Sequence, residues 1–308
     1  THYMEEYWPD AERFDPERPA ANRDLLDEGT LSVARFGADG HLDWLPLVWG
    51  EGPLNPENGF HGPADVVIEA RRAADLLGAT PMDRPEDIET NPTTGRVYVV
   101  LTGNAFRGAA QTDGPNPRGP NLSGHILELI PPGGAGVDHG AERFLWNILL
   151  LAGQPRSANS AVSADGWLAN PDNLAFDPRG RLWIATDTAT AARGFANGLW
   201  ARELAGPRRA VTRYLLWAPA LAEVRGPWFS PDDTTLFVSI QHSGADFLRH
   251  DLCPARNPLA RFCAWTPASF GGGRDHQGRW WPERWPRGAG VTIRPACAPR
   301  SRRTPRPR

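Results

Sequence analysis

The clearest periodic run of apolar residues along the chain is "DVVIEARRAADLLGA". Val66, Val67, Ala70, Ala73, Ala74 and Leu77 recur at i, i+3/i+4 spacing, with Arg71, Arg72 and Asp75 elsewhere on the wheel. This pattern predicts one helix, with Gly78 placed to stop it. Residues 22–28 predict a shorter helix ended by Gly29. Nearly everywhere else the apolar residues come in short runs bounded by Gly, Pro, Asn and Asp, which is strand-and-turn patterning. "TLSVARFGADGHLDWLPL" holds two such runs joined by "GADG", a hairpin signal.

One strand–turn–strand pattern recurs. In "NPDNLAFDPRGRLWIATD" (170–187) an acid follows a proline, a short apolar segment leads to a "DPRG" turn, and a buried-type strand ends at Asp187. "RPEDIETNPTTGRVYVVLTG" (84–103) has the same grammar, with Glu86 where the first has Asp172. "GPWFSPDDTTLFVSIQH" (226–242) keeps the turn and the strand but lacks the leading acid. Pro92, Pro178 and Pro231 mark equivalent turns, 86 and 53 residues apart. A blade of a β-propeller takes roughly 40–50 residues, so the shorter interval suits one blade and the longer nearly two. The expected fold is therefore all-β, a β-propeller over residues 1–250 with one or two short helices. Residues 251–294 lose the grammar, apart from a closing strand in "GVTIR". Residues 295–308 are a low-complexity Arg/Pro tail expected to be disordered; their basic run could draw polyanions, but a solvated terminus is the plainer reading.

Composition changes this picture little. Gly 32 and Pro 31 in 308 residues favour many turns over long helices. The 33 basic residues, all Arg, nearly balance 36 acidic ones, so the charge of −3 implies neither nucleic acid nor a membrane surface as partner. No apolar run approaches the roughly 18–20 residues of a membrane span. Cys253, Cys263 and Cys297 match no zinc spacing; a Cys253–Cys263 disulfide and free thiols both remain open. The first residues carry no signal-peptide pattern, which leaves a removed export segment or a piece of something longer.

The repeat suggests where chemistry sits. Carboxylates at one position of successive blades converge near the propeller axis and repel unless a cation compensates, which suits calcium and its six to eight oxygen ligands. Glu86, Asp172 and Asp187 are the candidates, with Asn104, Asn173 and Asn197 as neutral oxygen donors. Each acid beside a proline also has a plainer role, accepting backbone N–H bonds in a turn; Asp177 is read that way. Arg84 lies two residues before Glu86, on the same side of an extended segment. Its fork suits phosphate, although a surface pair with Glu86 or Asp87 explains it as well. His242 ends a strand where it could reach the mouth, and His125 is similarly placed; a hydrogen-bonded structural role fits either. Trp167, Trp183 and Trp228 read as packing residues.

The motifs "AANRDLLDEGTLSVARFGADG", "GATPMDRPEDIETNPTTGRVYVVLTGN", "NLSGHILEL", "PDNLAFDPRGRLWIATDT" and "FSPDDTTLFVSIQHSG" closely resemble the PhoX family of bacterial alkaline phosphatases, in collinear order over about residues 15–245. The resemblance implies a six-bladed propeller, exported by the twin-arginine route to the periplasm or beyond, that hydrolyses phosphate monoesters at a calcium–iron cluster. It implies Arg84 as the phosphate-contacting residue and Glu86, Asp172 and Asp187 as metal ligands, with Asn197 near the site. The family chain is about twice as long, and its front half carries a cysteine iron ligand and further glutamates. The three cysteines here lie in the wrong part to replace that ligand, so the iron site is expected to be incomplete. The chain thus resembles the back half of such a phosphatase, a partial set of blades whose missing half would be its partner. Two other readings stand beside this one: a calcium-dependent propeller lactonase of the gluconolactonase type, and a non-catalytic propeller fragment.

Overall fold

The computed structural model of the chain describes residues 2–9, 17, 20, 22–23, 29–134, 136–153, 168–187, 197–209, 211–218 and 222–241. Two compact units divide the chain: Thr1–Val162 with Ala169–Asp172, and Ser163–Leu168 with Asn173–Arg308.

In the first unit seven strands form one sheet. They are β1 (Glu5–Pro9), β2 (Gly29–Phe36), β3 (His41–Pro46), β4 (Pro85–Thr90), β5 (Val97–Leu101), β6 (His125–Ile130) and β7 (Arg143–Leu151). The order is β1-β2-β3-β7-β6-β5-β4, and the pairings are antiparallel. The "GADG" hairpin is present: Gly37 N–H donates to His41 O at 2.7 Å, closing β2 onto β3. Alternation puts Val99, Leu101, Leu127 and Leu129 on one face, where they pack with Phe36, Leu42, Trp44 and Phe144. Edge-to-face pairs Trp44–Phe144 and Phe36–Trp146 fill that core.

The expected single helix is two. α1 (Pro63–Ile68) and α2 (Ala70–Leu77) meet at Glu69, whose backbone (φ −104°, ψ 36°) lies outside the helical region. Three β-branched residues in a row, Val66, Val67 and Ile68, weaken the helix just before the break. The break also resets the buried face: Val66, Ala73 and Ala74 are buried with Val33, Leu54 and Phe60, while Val67 and Ile68 are exposed. Gly78 ends α2 as expected, in left-handed conformation, its N–H bonding Ala74 O and Asp75 O. The helix expected over residues 22–28 lies outside the described residues.

In the second unit β8 (Pro171–Phe176), β9 (Leu182–Thr186), β10 (Gly198–Arg202) and β11 (Thr212–Trp217) follow one another across a four-stranded sheet, the order expected of a propeller blade. The first two residues of β8 fall within the first unit. β12 (Glu223–Phe229) and β13 (Leu236–Gln241) make a further hairpin. Trp183 packs edge-to-face on Phe229 in this core, as its packing role predicts, but Trp228 is 67% exposed and packs no core. Trp167 is outside the described residues.

All three repeats are hairpins, β4–β5, β8–β9 and β12–β13, turning at Pro92, Pro178 and Pro231. Among the described residues, β4–β7 make one four-strand meander with long connections in the 86-residue interval, where the spacing suggested nearly two blades. Residues 251–308, with "GVTIR", the tail and the three cysteines, lie outside the described residues.

Candidate functional site

Arg84 and Glu86 sit at the head of β4. The register with β5 shifts between Pro85 and Asp87, so Glu86 occupies a β-bulge. A bulge re-aims a side chain out of strict alternation. Here it lets the Glu86 carboxylate accept from Arg84 Nη2 at 3.0 Å, with both side chains still partly open to solvent. Arg84 has φ +60°, a left-handed conformation that costs a non-glycine residue about 1–3 kcal/mol unless its surroundings hold it there.

The surroundings do so through a network that the sequence did not announce. Asp83 is fully buried, and its carboxylate accepts from Arg107 Nε at 2.5 Å and Asn121 Nδ2 at 2.9 Å. Arg107 is itself buried and also donates to the carbonyls of Gln111 and Pro81. Asp83 N–H donates to Asn116 Oδ1 at 3.1 Å, and Asp83 O accepts from Gly103 N–H at 3.1 Å. The 102–124 connection is thus bolted to the residue preceding Arg84. His125 belongs to the same cluster. Its Nε2 donates to Pro115 O at 2.7 Å, so Nδ1 accepts from Asn121 Nδ2 at 3.0 Å, and burial pushes the ring's pKa down to about 4. This is the structural histidine that the sequence allowed, neutral and enclosed.

Asp172 stands second in β8, as Glu86 stands second in β4. It is fully buried, and Thr102 Oγ1 donates to its Oδ1 at 3.4 Å. Asn170, another left-handed residue (φ +53°), donates from Nδ2 to Thr102 O at 2.9 Å and to Leu122 O at 3.1 Å. Arg84, Glu86, Thr102 and Asp172 therefore belong to one bonded framework within the first unit.

In the second unit Asp187 follows β9 and is buried. Arg225 Nη2 reaches Asp187 Oδ2 at 3.1 Å and Glu223 Oε2 at 3.0 Å. Burial raises the Glu223 carboxyl, and a hydrogen bond with Asp187 raises it further, the signature of two acids brought face to face. Glu223 opens β12, so the third repeat does carry an acid at its entry. It lies eight residues before Pro231, against six for Glu86 and Asp172 before their prolines, because β12 is bulged between Arg225 and Trp228. That irregular spacing hid both Glu223 and Arg225.

The remaining candidates are placed more plainly. Asn104 Oδ1 caps a turn by accepting from Phe106 and Arg107 N–H, and Asn104 pairs with Asn121 through the backbone. Asn197 is buried, donating to Ala222 O at 2.9 Å and accepting from Thr186 at 3.4 Å. Asn173 Oδ1 accepts from Gly226 N–H. Asp177 is the turn residue expected, accepting from the N–H groups of Arg179 and Arg181. His242 lies outside the described residues.

For a metal, the donors fit in kind. They are carboxylates, three of them largely buried (Asp172, Asp187 and Glu223), which is what a hard oxygen-seeking cation takes. Among the described residues no three His, Cys, Asp or Glu side chains form a metal-holding group.

Against known proteins, no curated sequence matches the chain. Among solved structures it is similar to Pseudomonas fluorescens PhoX, determined in complex with vanadate, a transition state analogue: 37% identity and a TM-score of 0.72, covering 79% of this chain. The chain spans 45% of that protein's length. The sequence model of alkaline phosphatase PhoX matches residues 7–244. The repeats, the blade-like meanders and this match agree, and the chain belongs to the PhoX family of alkaline phosphatases.

Proposed function

We propose that the chain carries part of the active site of a metal-dependent phosphate monoester hydrolase, with Arg84 as its phosphate-contacting residue. The observation that carries this is Arg84 itself: in a chain of this family, a strained, partly exposed arginine is held by a buried network beside an acid, Glu86, on a bulge. Among the described residues Glu86 is its one side-chain partner, by a single nitrogen, and a guanidinium carries five N–H donors. The others suit the oxygens of a phosphoryl group, two at a time.

Glu86, Asp172 and Asp187 are the metal ligands in this reading, and Glu223 joins them on the strength of its pairing with Asp187. The ions expected are calcium, from the all-oxygen donor set, and ferric iron, from the family resemblance, with the iron site incomplete without the family's cysteine ligand. A bound cation supplies Lewis-acid polarisation of the phosphoryl oxygen and a more acidic bound water. The protein's own contribution is to fix the acids, keep Asp172 and Asp187 away from bulk water, and present Arg84 where charge develops on the transferring group. Family membership also supports export to the periplasm or beyond as the setting.

The test is hydrolysis of a chromogenic phosphate monoester by the purified chain with calcium and iron present, beside a lactone control. Any hydrolysis is expected to fall on the monoester and not on the lactone, and to be inhibited by vanadate. Arg84→Ala is expected to lower kcat by about 10²–10³, the loss typical of one transition-state donor. Lactone hydrolysis without phosphatase activity would overturn the reading, as would the absence of stoichiometric metal from the purified protein.

A further inference from the structure

Thr102 touches both halves of the first unit's candidate site. It follows β5 directly and is fully buried. Its N–H donates to Arg84 O at 3.1 Å. Its hydroxyl donates to Asp172 Oδ1 at 3.4 Å. Its carbonyl accepts from Asn170 Nδ2 at 2.9 Å, two residues before Asp172. All three polar groups of one residue are thus spent on the segments that carry Arg84 and Asp172.

The neighbouring backbone leaves this residue little room to move. Gly124 has φ +72°, and a Cβ there would lie 2.5 Å from Thr102 O and 2.8 Å from Pro171 Cδ. The chain entering β6 therefore passes directly over Thr102 and the start of β8.

We propose that Thr102 is a positioning residue: its hydroxyl orients the Asp172 carboxylate toward a bound cation while its backbone holds the strand head that presents Arg84. A threonine at a strand end would suffice for packing alone, but valine would serve that purpose equally well. The hydroxyl has a use only because a buried carboxylate lies opposite it. Groups that hydrogen-bond a metal ligand from behind fix its orientation, and their removal weakens metal binding without removing a ligand.

This rests on Asp172 being a cation ligand, and the experiment separates the two ideas. Calcium chloride is titrated calorimetrically into the 308-residue chain and into Asp172→Asn, Thr102→Val and Thr102→Ser, with thermal unfolding of each in the absence of calcium. Thr102→Val is expected to bind calcium about tenfold more weakly, the lower end of what outer-shell partners contribute. Thr102→Ser keeps the donor oxygen and is expected to stay within about twofold of the parent chain. If Thr102→Val binds like the parent while Asp172→Asn is impaired, the positioning role fails and the metal reading stands. The role also fails if serine is as damaging as valine, because the methyl group would then be what matters. An Asp172→Asn variant that binds normally, or a parent chain that takes up no calcium, overturns both ideas together. Should Thr102→Val not fold, Thr102→Ala against Thr102→Ser isolates the same hydroxyl and is decided by the same criteria.

Discussion

His125 shows how a single buried residue sets a pH response. Its ring is neutral because Nε2 donates to a carbonyl and Nδ1 accepts from Asn121; a second proton would put an N–H against the Asn121 amide donor. Burial, the largest cause, lowers its folded pKa from 6.5 to about 4. The unfolded chain therefore binds a proton that the folded chain refuses between about pH 4 and 6.5, and stability falls as pH falls through that window. The full effect is about 3 kcal/mol at the acid end. Urea unfolding at steps from pH 7 to 4 is expected to show this slope, and His125→Asn is expected to flatten it. A slope unchanged by the substitution would place the acid sensitivity elsewhere. Asp83 is the second residue of consequence. Asp83→Asn leaves Arg107 buried without its carboxylate, and breaking such a pair costs about 3–5 kcal/mol in denaturant unfolding. His125 was a candidate in the sequence, but Asp83 was not, since it lies 24 positions from Arg107 and 42 from His125.

Among the elements, the hairpins were legible and their irregularities were not. Asn91-Pro92, Asp177-Pro178 and Ser230-Pro231 act locally: each leading side chain bonds the turn that follows, so a short window of sequence holds the whole cause. The bulges at Glu86 and after Arg225 are products of pairing with a second strand, and a bulge shifts residue counts without altering the turn signal. This is why Glu86 was found from its repeat and Glu223 was not. The break at Glu69 was missed for a different reason: apolar periodicity ran straight through it and masked the three β-branched residues before it. Gly124→Ala is the prediction at this scale. A side chain there would need left-handed backbone and would meet two carbonyl oxygens, Thr102 O at 2.5 Å and Leu101 O at 2.6 Å. The variant is expected to unfold at clearly lower denaturant, by about 2 kcal/mol or more, while Gly40→Ala, with open space around it, should lose only about 1 kcal/mol.

At the scale of the whole molecule, the expected observable is metal linkage. A ligand that binds only the folded chain stabilises it by about 2.7 kcal/mol at a hundred times its dissociation constant. Added calcium is therefore expected to raise the melting temperature and a chelator to reverse the shift; identical melts in both would count against the cation sites. The sequence by itself determined the all-β class, the recurring hairpins, the family, and the identities of Arg84, Glu86, Asp172 and Asp187 as residues of interest. Each of these is written in local patterns or in motifs many residues long. Tertiary structure alone decided that Thr102 joins Arg84 to Asp172, that Asp83 and Arg107 form a buried pair, and that Asp187 faces Glu223 across Arg225. Thr102 lies 18 positions from Arg84 and 70 from Asp172, Asp83 lies 24 from Arg107, and Asp187 lies 36 from Glu223, so strand pairing rather than spacing brings them together. A sequence records which side chains are available, and the pairing of distant strands settles which of them meet.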